Sequence, residues 1–379
     1  MCTNVLLTGG RAPATLELAR MFGKQGHEVH VADSFSYSIS RYSKYVTFHE
    51  IRSPRQDESQ YIEDLNNIID ENGISLLVPT CEEIFYIAKH KDVFPSSCVV
   101  FTEEIEVLET LHRKDRFIQL VKQLGYAAPE THSVSDVRGW ESFFQKRKKE
   151  EWVAKPVYSR FSNGTCFSAD FPEAVERLKR GVPYVIQALV KGKQYCTYSI
   201  SVDGELLAHT QYEALHRGKG GASVAFKHEE RRELERWVRS FVRKMRFTGS
   251  IAFDFILTEE GGWLPIECNP RVTSGIHLFR GCFLPGLFSQ EKERVFPCKE
   301  GFMISALCLW NEGKRILTLN QKMPPYPKGY KDIFFDQEDP GPFLYQGISL
   351  YGWRREAKRL GVSITEASTY DIQWDGEGQ

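Results

Sequence analysis

Between residues 4 and 105, short apolar runs alternate with stretches of helical spacing, and that alternation leaves few folds open. "NVLLTGG" reads as a strand with a glycine turn. "APATLELARMFGKQG" is helical, with Leu16, Ala19, Arg20 and Gly23 along one side and Gly26 as a stop. "HEVHVAD" is a second strand, ending in Asp33. The pattern repeats as helix "YIEDLNNIIDENG", strand "ISLLVPT", helix "EEIFYIAKHKDVF" and strand "CVVFT". Strands that alternate with helices predict a parallel sheet, because a parallel pair needs a crossover between its strands.

Further along, "EEIEVLETLHRKDRFIQLVKQLGY" predicts a helix around Lys114. "WVAKPVYSRFSNGTCFS" predicts a strand, a polar loop and a second strand, and "FPEAVERLKRG" a helix. "YVIQALVKGKQYCTYSISVDGELLAHTQYEAL" reads mostly as strand, with turns at "KG" and "DG". In "RELERWVRSFVRKM" the apolar positions Leu234, Trp237, Val238, Phe241, Val242 and Met245 keep helical spacing, so that stripe faces a core. In the tail, "FMISALCLW" predicts a strand, "MPPYPKGY" a loop, "SLYGWRREAKRLG" a helix and "TYDIQW" a final strand.

With 379 residues the chain exceeds a single ordinary core. A formal net charge of −1 gives no basic field for nucleic acid. The densest charged run, "KRKKEE" from Lys146 to Glu151, carries acids of its own and reads as a solvated face. Nine cysteines lie scattered without a CxxC pair, as free thiols of a reducing compartment do. No signal-peptide pattern opens the sequence, and no segment approaches the roughly 18 apolar residues of a membrane span. A cytoplasmic protein without membrane or nucleic-acid partners is the expectation.

The chemistry concentrates in "GSIAFDFILTEEGGWLPIECNPR". Two apolar runs around "EEGG" predict an antiparallel hairpin. Side chains alternate faces along a strand, so Glu267, Asn269 and Arg271 share one face while Cys268 points into packing. If Thr258 faces Trp263, the ladder pairs 257 with 264, 256 with 265, 255 with 266 and 254 with 267. Asp254 then lies across from Glu267. Two carboxylates roughly 5 Å apart at an effective dielectric of about 20 repel by about 3 kcal/mol. A proton, a basic neighbour such as Arg271, or a divalent cation could offset that; carboxylates, an amide oxygen and phosphate oxygens suit Mg²⁺. No GxxxxGK[ST] loop is present. Lys155 in "VAKPVYSRFSNGT" instead ends a short strand before a polar loop of Ser159, Arg160, Ser162, Asn163 and Gly164, which could cradle a polyphosphate.

Taken in order, Lys114 in "HRKDRF", Lys155 in "VAKPV", the linker "VIQALVKGKQY", Asp254 in "IAFDF" and the strand "IECNPR" resemble the ATP-grasp superfamily. The leading block resembles the α/β domain that precedes the grasp in carbamoyl-phosphate-synthase-like and biotin-carboxylase-like members. The fold class implied is α/β and α+β. A Rossmann-like parallel-sheet domain (1–105) is followed by a two-subdomain ATP-grasp fold (106–184 and 185–299, the latter with the metal-binding hairpin). A small α+β C-terminal segment (300–379) completes the ligase. The resemblance implies that Lys114 and Lys155 contact nucleotide phosphates, together with the loop of Ser159, Ser162, Asn163 and Gly164. The linker around Gln187, Leu189 and Val190 receives the adenine, and Gln194 stands where many members have a ribose-binding glutamate. Asp254, Glu267 and Asn269 hold one or two Mg²⁺ ions, with Mn²⁺ an alternative, and Arg271 stabilises the transferred phosphoryl group. The sequence departs from the family in a glycine-poor loop after Lys155 and in Gln187 and Gln194, where acids are common.

The activity implied is ATP-dependent carboxylate–amine ligation. A carboxylate is a poor electrophile because its leaving group would be oxide. Phosphorylation by ATP gives an acyl phosphate, from which an amine displaces phosphate. That chemistry needs charge neutralisation and positioning rather than a protein nucleophile. The glycine-rich, cationic loop "EALHRGKGGAS" offers Arg217 and Lys219 to the substrate carboxylate or the forming phosphate, and His216 as a base toward the amine. The partners are a small carboxylic acid, which could be an amino acid, and an amine, and a homodimer is compatible. Three other readings compete. A carboxylase or carbamoyl-phosphate-type enzyme carries or recruits extra domains for which residues 300–379 are too few. An NAD-dependent oxidoreductase needs a third glycine that the turn at Gly9 and Gly10 lacks. A non-catalytic nucleotide-binding protein has no need of the intact Asp254, Glu267, Asn269 and Arg271 set.

Overall fold

The computed structural model describes residues 3–159, 163–217, 223–282, 293–317 and 325–376, with His216 and Arg217 described by backbone alone. Strands β1 (Asn4–Thr8), β2 (Glu28–Asp33), β3 (Val46–Glu50), β4 (Leu76–Val78) and β5 (Val99–Val100) form one sheet in the order β3-β2-β1-β4-β5. Every pair in it is parallel, as the alternation of strands and helices predicts. Helices α1 (Pro13–Lys24), α2 (Glu58–Glu71) and α3 (Glu83–Lys89) make the crossovers. Strand β3, "VTFHE", is not expected from the sequence, its apolar alternation being only Val46 and Phe48, which pack against the core.

The helical stretch around Lys114 is two helices, α4 (Ile105–His112) and α5 (Lys114–Gln123). Extended backbone at Arg113 breaks the run, and its guanidinium pairs with Asp115 at 2.9 Å. The break makes Lys114 the first residue of α5. There follow β6 (Thr131–Val134), α6 (Val137–Phe144), β7 (Trp152–Pro156), α7 (Phe171–Lys179) and β8 (Tyr184–Ala188), with a sheet ordered β6-β8-β7. The second strand expected after Lys155 shrinks to one bridge between Ala154 and Cys166.

Next come β9 (Gly192–Val202), β10 (Glu205–Glu213), β11 (His216–Arg217), β12 (Ser223–Lys227), α8 (Arg232–Met245), β13 (Gly249–Thr258) and β14 (Trp263–Asn269). The sheet β10-β9-β13-β14 is antiparallel throughout. At its entry Gly192 has φ +152°, and a Cβ there would fall 2.1 Å from the Leu257 carbonyl oxygen, so only glycine passes. Helix α8 buries Leu234, Val238, Phe241 and Val242 against this sheet, beside Phe253 and Phe255. Each such side chain contributes about 1.5–3 kcal/mol of burial.

The tail comprises β15 (Gly301–Met303), α9 (Ser305–Leu317), β16 (Lys331–Asp332), α10 (Gly341–Leu344), α11 (Gln346–Leu360) and α12 (Ile364–Ala367). "FMISALCLW" is therefore mostly helix, not strand. A nine-residue apolar run has no period that separates the two, and Asp332 caps the helix start by accepting from the Ser305 N–H at 2.9 Å. No strand forms at "TYDIQW" either. Ile372 and Trp374 are buried alternately, which mimics a strand, but Trp374 stacks on Phe85 with ring centroids 5.8 Å apart, among the helices of the first sheet. The Trp374 N–H donates to Glu82, and Tyr86 donates to the Gln373 carbonyl oxygen.

Charged pairs stitch the pieces together. Arg20 on α1 meets Asp339 at 2.8 Å, and Glu17 on α1 takes Arg280 and His277. Arg11, after β1, joins Asp33 at the end of β2 to Asp371 in the tail, at 2.5 Å each.

Candidate active site

The hairpin β13–β14 sets the site. Asp254 pairs with Glu267, as expected, but the strands reach that pair by another path. Near the turn the partners are 257 with 263, 256 with 264 and 255 with 265, one residue away from the expected register. A bulge between Asp254 and Phe255 leaves Ile266 unpaired and restores 254 with 267 and 252 with 269. Asp254 and Glu267 therefore share a face as directly opposed residues, and Asn269 lies two positions on. Cys268 points the other way into the core, 1% exposed, and burial pushes its thiol well above the usual range.

Two lysines converge on this wall from separate elements. The start of α5 puts Lys114, 2% exposed, with its Nζ 3.8 Å from Glu267 Oε1. The sheet β6-β8-β7 supplies Lys155 from β7. Val153 pairs with Gln187, so Lys155 and Gln187 are diagonal neighbours on one face of β7–β8. Lys155 Nζ donates to Gln187 Oε1 at 2.9 Å, and Gln187 Nε2 donates to Thr131 Oγ1 at 3.1 Å. Lys155 is buried with a neutral acceptor only. Burial, with Lys114 adding repulsion, pulls its pKa down to about 8, while Glu267 and Asp254 oppose the shift. Both carboxylates and both lysines thus sit within electrostatic reach of one another.

Arg271 follows β14. Its Nη2 lies 3.4 Å from Asn269 Oδ1, its Nη1 reaches the Val272 carbonyl oxygen, and its Nε is buried without a hydrogen-bond partner. A cation so placed has a donor left for an anion. Arg271 also lowers the Cys81 thiol electrostatically, against the larger upward push of burial, which puts it beside the end of β4.

The remaining expectations divide. Gln187 is 1% exposed and its side chain serves Lys155. Leu189 is exposed and Val190 half-buried on the strap between β8 and β9, and Gln194 is half-buried on β9 opposite Ile256. Ser159 and Gly164 are half-buried, while the exposed Asn163 donates to Glu366 on α12 at 2.9 Å. Ser162, Arg160 and Lys219 lie outside the described residues, as do the side chains of His216 and Arg217, whose backbone pairs with β12. Two positions not singled out in the sequence make contact with these residues, Thr131 behind Gln187 and Glu366 of α12, which accepts from Asn163 of the loop after Lys155. Both act across long chain separations, which local spacing does not reveal.

The donor set fits a hard cation only in part from protein. Among the described residues no group of three or more His, Cys, Asp and Glu encloses a metal position. Asp254, Glu267 and Asn269 supply two carboxylates and an amide, the kind of set that suits Mg²⁺ completed by phosphate oxygens and water. Asp33 is otherwise engaged. Its carboxylate accepts from the Arg11 backbone N–H at 2.6 Å, Arg11 Nη2 at 2.5 Å, Ser38 Oγ at 2.7 Å and the Phe35 N–H at 3.0 Å. That leaves little for the ribose contact a dinucleotide reading requires.

Comparison with known proteins bears on the fold that carries these residues. Residues 113–275 match the family model described as an ATP-grasp domain. Among solved structures, the chain is similar to phosphoribosylamine–glycine ligase from Thermotoga maritima, with TM-score 0.59 and 16% identity, over 79% of this chain and 78% of that one. It is similar to the L-amino acid ligase from Bacillus licheniformis, with TM-score 0.56 and 14% identity, over 72% and 68%. A third is the biotin carboxylase domain dimer of Hydrogenobacter thermophilus 2-oxoglutarate carboxylase, solved with MgADP, ADP and bicarbonate. It gives TM-score 0.56 and 14% identity, over 78% and 73%. At these identities the likeness is one of fold. No curated protein sequence matches the chain.

Proposed function

We propose, from the premise that residues 113–275 are an ATP-grasp domain, that the chain is an ATP-dependent carboxylate–amine ligase. Its segments are a leading α/β domain (1–105), the two halves of the grasp (106–184 and 185–299) and a completing segment (300–379). The observation that carries the reading is the convergence of Lys114, Lys155, Asp254 and Glu267 from three separate elements. Two carboxylates on one strand pair suit a hard cation, and two lysines beside them suit the oxygens of a polyphosphate.

Lys114 and Lys155 take the phosphate oxygens of ATP. Asp254, Glu267 and Asn269 hold Mg²⁺, which when bound neutralises charge on the phosphates. The substrate carboxylate attacks the γ-phosphorus, the bond to ADP breaks, and an acyl phosphate forms. Arg271, through its unpartnered Nε, holds the acyl phosphate oxygens. The amine then attacks the acyl carbon and phosphate leaves. Arg217, Lys219 and His216 are assigned to the closing loop over these substrates. A small acid, with an amino acid as the first choice, and a small amine fit the scheme.

A screen of ADP and phosphate release over amino acids, other carboxylic acids and bicarbonate, each with and without amines, tests the reading. Release should need both an acid and Mg²⁺ and disappear in Asp254→Ala and Glu267→Ala. Full activity in those variants would sink the metal assignment, and release by bicarbonate alone would favour a carboxylase.

A further inference from the structure

The first sheet changes direction at β1. In the order β3-β2-β1-β4-β5 the chain moves outward from β1 one way through β2 and the other way through β4. The crevice beyond the carboxyl ends of β1 and β4 is therefore the topological switch point, where open α/β sheets take ligands. On the β2 side that edge is closed. Arg11 is buried between Asp33 and Asp371, its Cζ 5.6 Å over the Trp353 ring. On the β4 side one side chain reaches the surface. Thr80, Glu82 and Glu83 are 1–2% exposed, while Cys81 among them is half-buried.

The backbone of β1 comes close beneath Cys81. Gly9 has φ +72°, and a Cβ there would fall 2.8 Å from Glu83 Oε1, 2.8 Å from Thr80 Oγ1 and 2.9 Å from Cys81 Sγ, so only glycine fits. Glu83 Oε1 accepts from Thr8 Oγ1 at 2.7 Å and from the Thr80 and Cys81 N–H groups at 3.2 and 3.0 Å, which fixes the turn. Its Oε2 is buried with no hydrogen-bond partner. Burial and Glu83 push the Cys81 thiol well up, against Arg271 and Arg11, so it borders the crevice uncharged.

The hairpin wall ends at the same place. Val272, next to Arg271, packs in one core with Ala14 and Leu18 of α1, the helix that follows the Gly9 turn. In phosphoryl transfer the acceptor approaches opposite the leaving ADP. With Lys114 and Lys155 on the phosphates at the Glu267 end of the wall, the acid enters past Arg271, against the β4 turn.

We propose that this turn, with Cys81 over Gly9, seats the body of the acid substrate, and that Cys81 is a specificity-determining residue. The class it takes is a small monocarboxylic acid, amino acids with small uncharged side chains included. A larger body meets Sγ. A second carboxylate meets Glu83, with Arg11 already engaged by Asp33 and Asp371. The proposal rests on the ligase reading and deepens it.

Hydroxamate formation tests it, with hydroxylamine as the amine. Its nitrogen attacks the acyl carbon of the acyl phosphate and phosphate leaves, so the natural amine need not be known. The probes are glycine, alanine, leucine, butyrate and succinate with saturating Mg·ATP. Wild type should favour the small acids and use succinate less well than butyrate by about tenfold or more. Cys81→Leu should raise KM for the small acids by about tenfold or more, and Cys81→Ala should move the preference toward leucine by a similar factor. In both, KM for ATP and the melting temperature should hold. Should Cys81→Leu fail to fold, Cys81→Ala alone decides. An unchanged order of acids in the variants overturns the seat and leaves the ligase reading in place, as does succinate matching butyrate in wild type. A KM for ATP that rises along with KM for the acid marks a structural role for Cys81 and also overturns it. No hydroxamate in wild type across the wider acid screen is the separate outcome that removes the ligase reading and the seat with it.

Discussion

Two of the groups of buried charge in this molecule are built in opposite ways. At the junction of the first sheet with the grasp, Glu17 is 1% exposed and accepts from Arg280 Nε at 2.9 Å and Nη2 at 2.5 Å, with His277 Nδ1 at 2.8 Å. Burial opposes its charge, yet Arg280 and His277 outweigh burial and hold its carboxyl down at about 2. On the hairpin wall the partners are loose. Lys114 stands 3.8 Å from Glu267, Lys155 has only an amide oxygen, and Arg271 keeps an unused donor. At the junction the carboxylate is fully engaged and gains from its cations, although His277 Nε2 is buried without a hydrogen-bond partner. The wall leaves a buried guanidinium Nε without a partner and a lysine hydrogen-bonded only to an amide, which suits the polyphosphate proposed above.

That difference predicts opposite responses to the same kind of substitution. On the wall, Asp254→Asn or Glu267→Gln should lower ADP formation by about 10²–10³-fold. Their melting temperatures should hold, because each relieves one of two facing carboxylates. At the junction, Glu17→Leu leaves Arg280 and His277 buried without an anion and should cost about 3–5 kcal/mol of stability. Turnover per folded molecule should change little. Comparable thermal shifts in both sets would erase the contrast.

The same contrast reads out in acid. The folded-state value for Glu17, about 2, lies below the ordinary 4.5, so its contribution is fully present above pH 4.5 and is lost as pH falls from there through 2. Glu17→Gln should flatten the stability profile in that window, measured by urea unfolding at each pH. A profile unchanged by the substitution would assign acid sensitivity elsewhere.

On the wall stability also rises with pH, but there the charge costs stability instead of supplying it, because the depressed group is a lysine. Lys155 titrates near 8 in the fold against 10.5 unfolded. Below pH 8 it carries its charge in both states and the burial cost is fully present. Between pH 8 and 10.5 the unfolded chain binds more protons, so stability rises with pH by up to about 1.4 kcal/mol per unit. Lys155→Met should remove that rise relative to wild type and weaken nucleotide binding at neutral pH. An identical pH slope in both proteins would show that Lys155 is not the titrating group.

How far these arrangements were legible in sequence follows from the range of each signal. The alternation before residue 105 and the stripe of α8 are local periodicities, and both survive in the structure. The Asp254–Glu267 pair was reached through a wrong register at the turn, corrected by a bulge at Ile266 that no alternation announces. The sequence places Gln187 in a strap for the base, whereas its side chain holds Lys155 across two strands. That role depends on which strands are neighbours. The apolar alternation of Ile372 and Trp374 signalled burial correctly but not its form, since these residues plug helices rather than extend a sheet. Period reports which side of a segment is buried. It does not report what lies against it.

The smallest effect tests the Gln187 contact itself. Gln187→Glu gives Lys155 a carboxylate in place of an amide oxygen and should raise the lysine back toward 10.5. ATP affinity near pH 7 should change only slightly, because Lys155 already carries its proton there. Above pH 8 wild type must take up a proton to bind phosphate, so its affinity should fall by up to about tenfold per pH unit while the variant holds. Glutamate brings a cost as well. Gln187 Nε2 donates to Thr131 Oγ1, whose own hydrogen goes to the Pro129 carbonyl oxygen at 3.1 Å. Thr131 would have to give up that bond to face a carboxylate, a loss of about 1 kcal/mol. Titration of ATP binding between pH 7 and 10 in wild type, Gln187→Glu and Thr131→Ala separates the two consequences. Thr131→Ala should shift affinity evenly across pH, whereas Gln187→Glu should move the pH at which affinity begins to fall. If both variants keep the wild-type profile, Lys155 does not meet the phosphates and the wall must take its anion through Lys114 and Arg271.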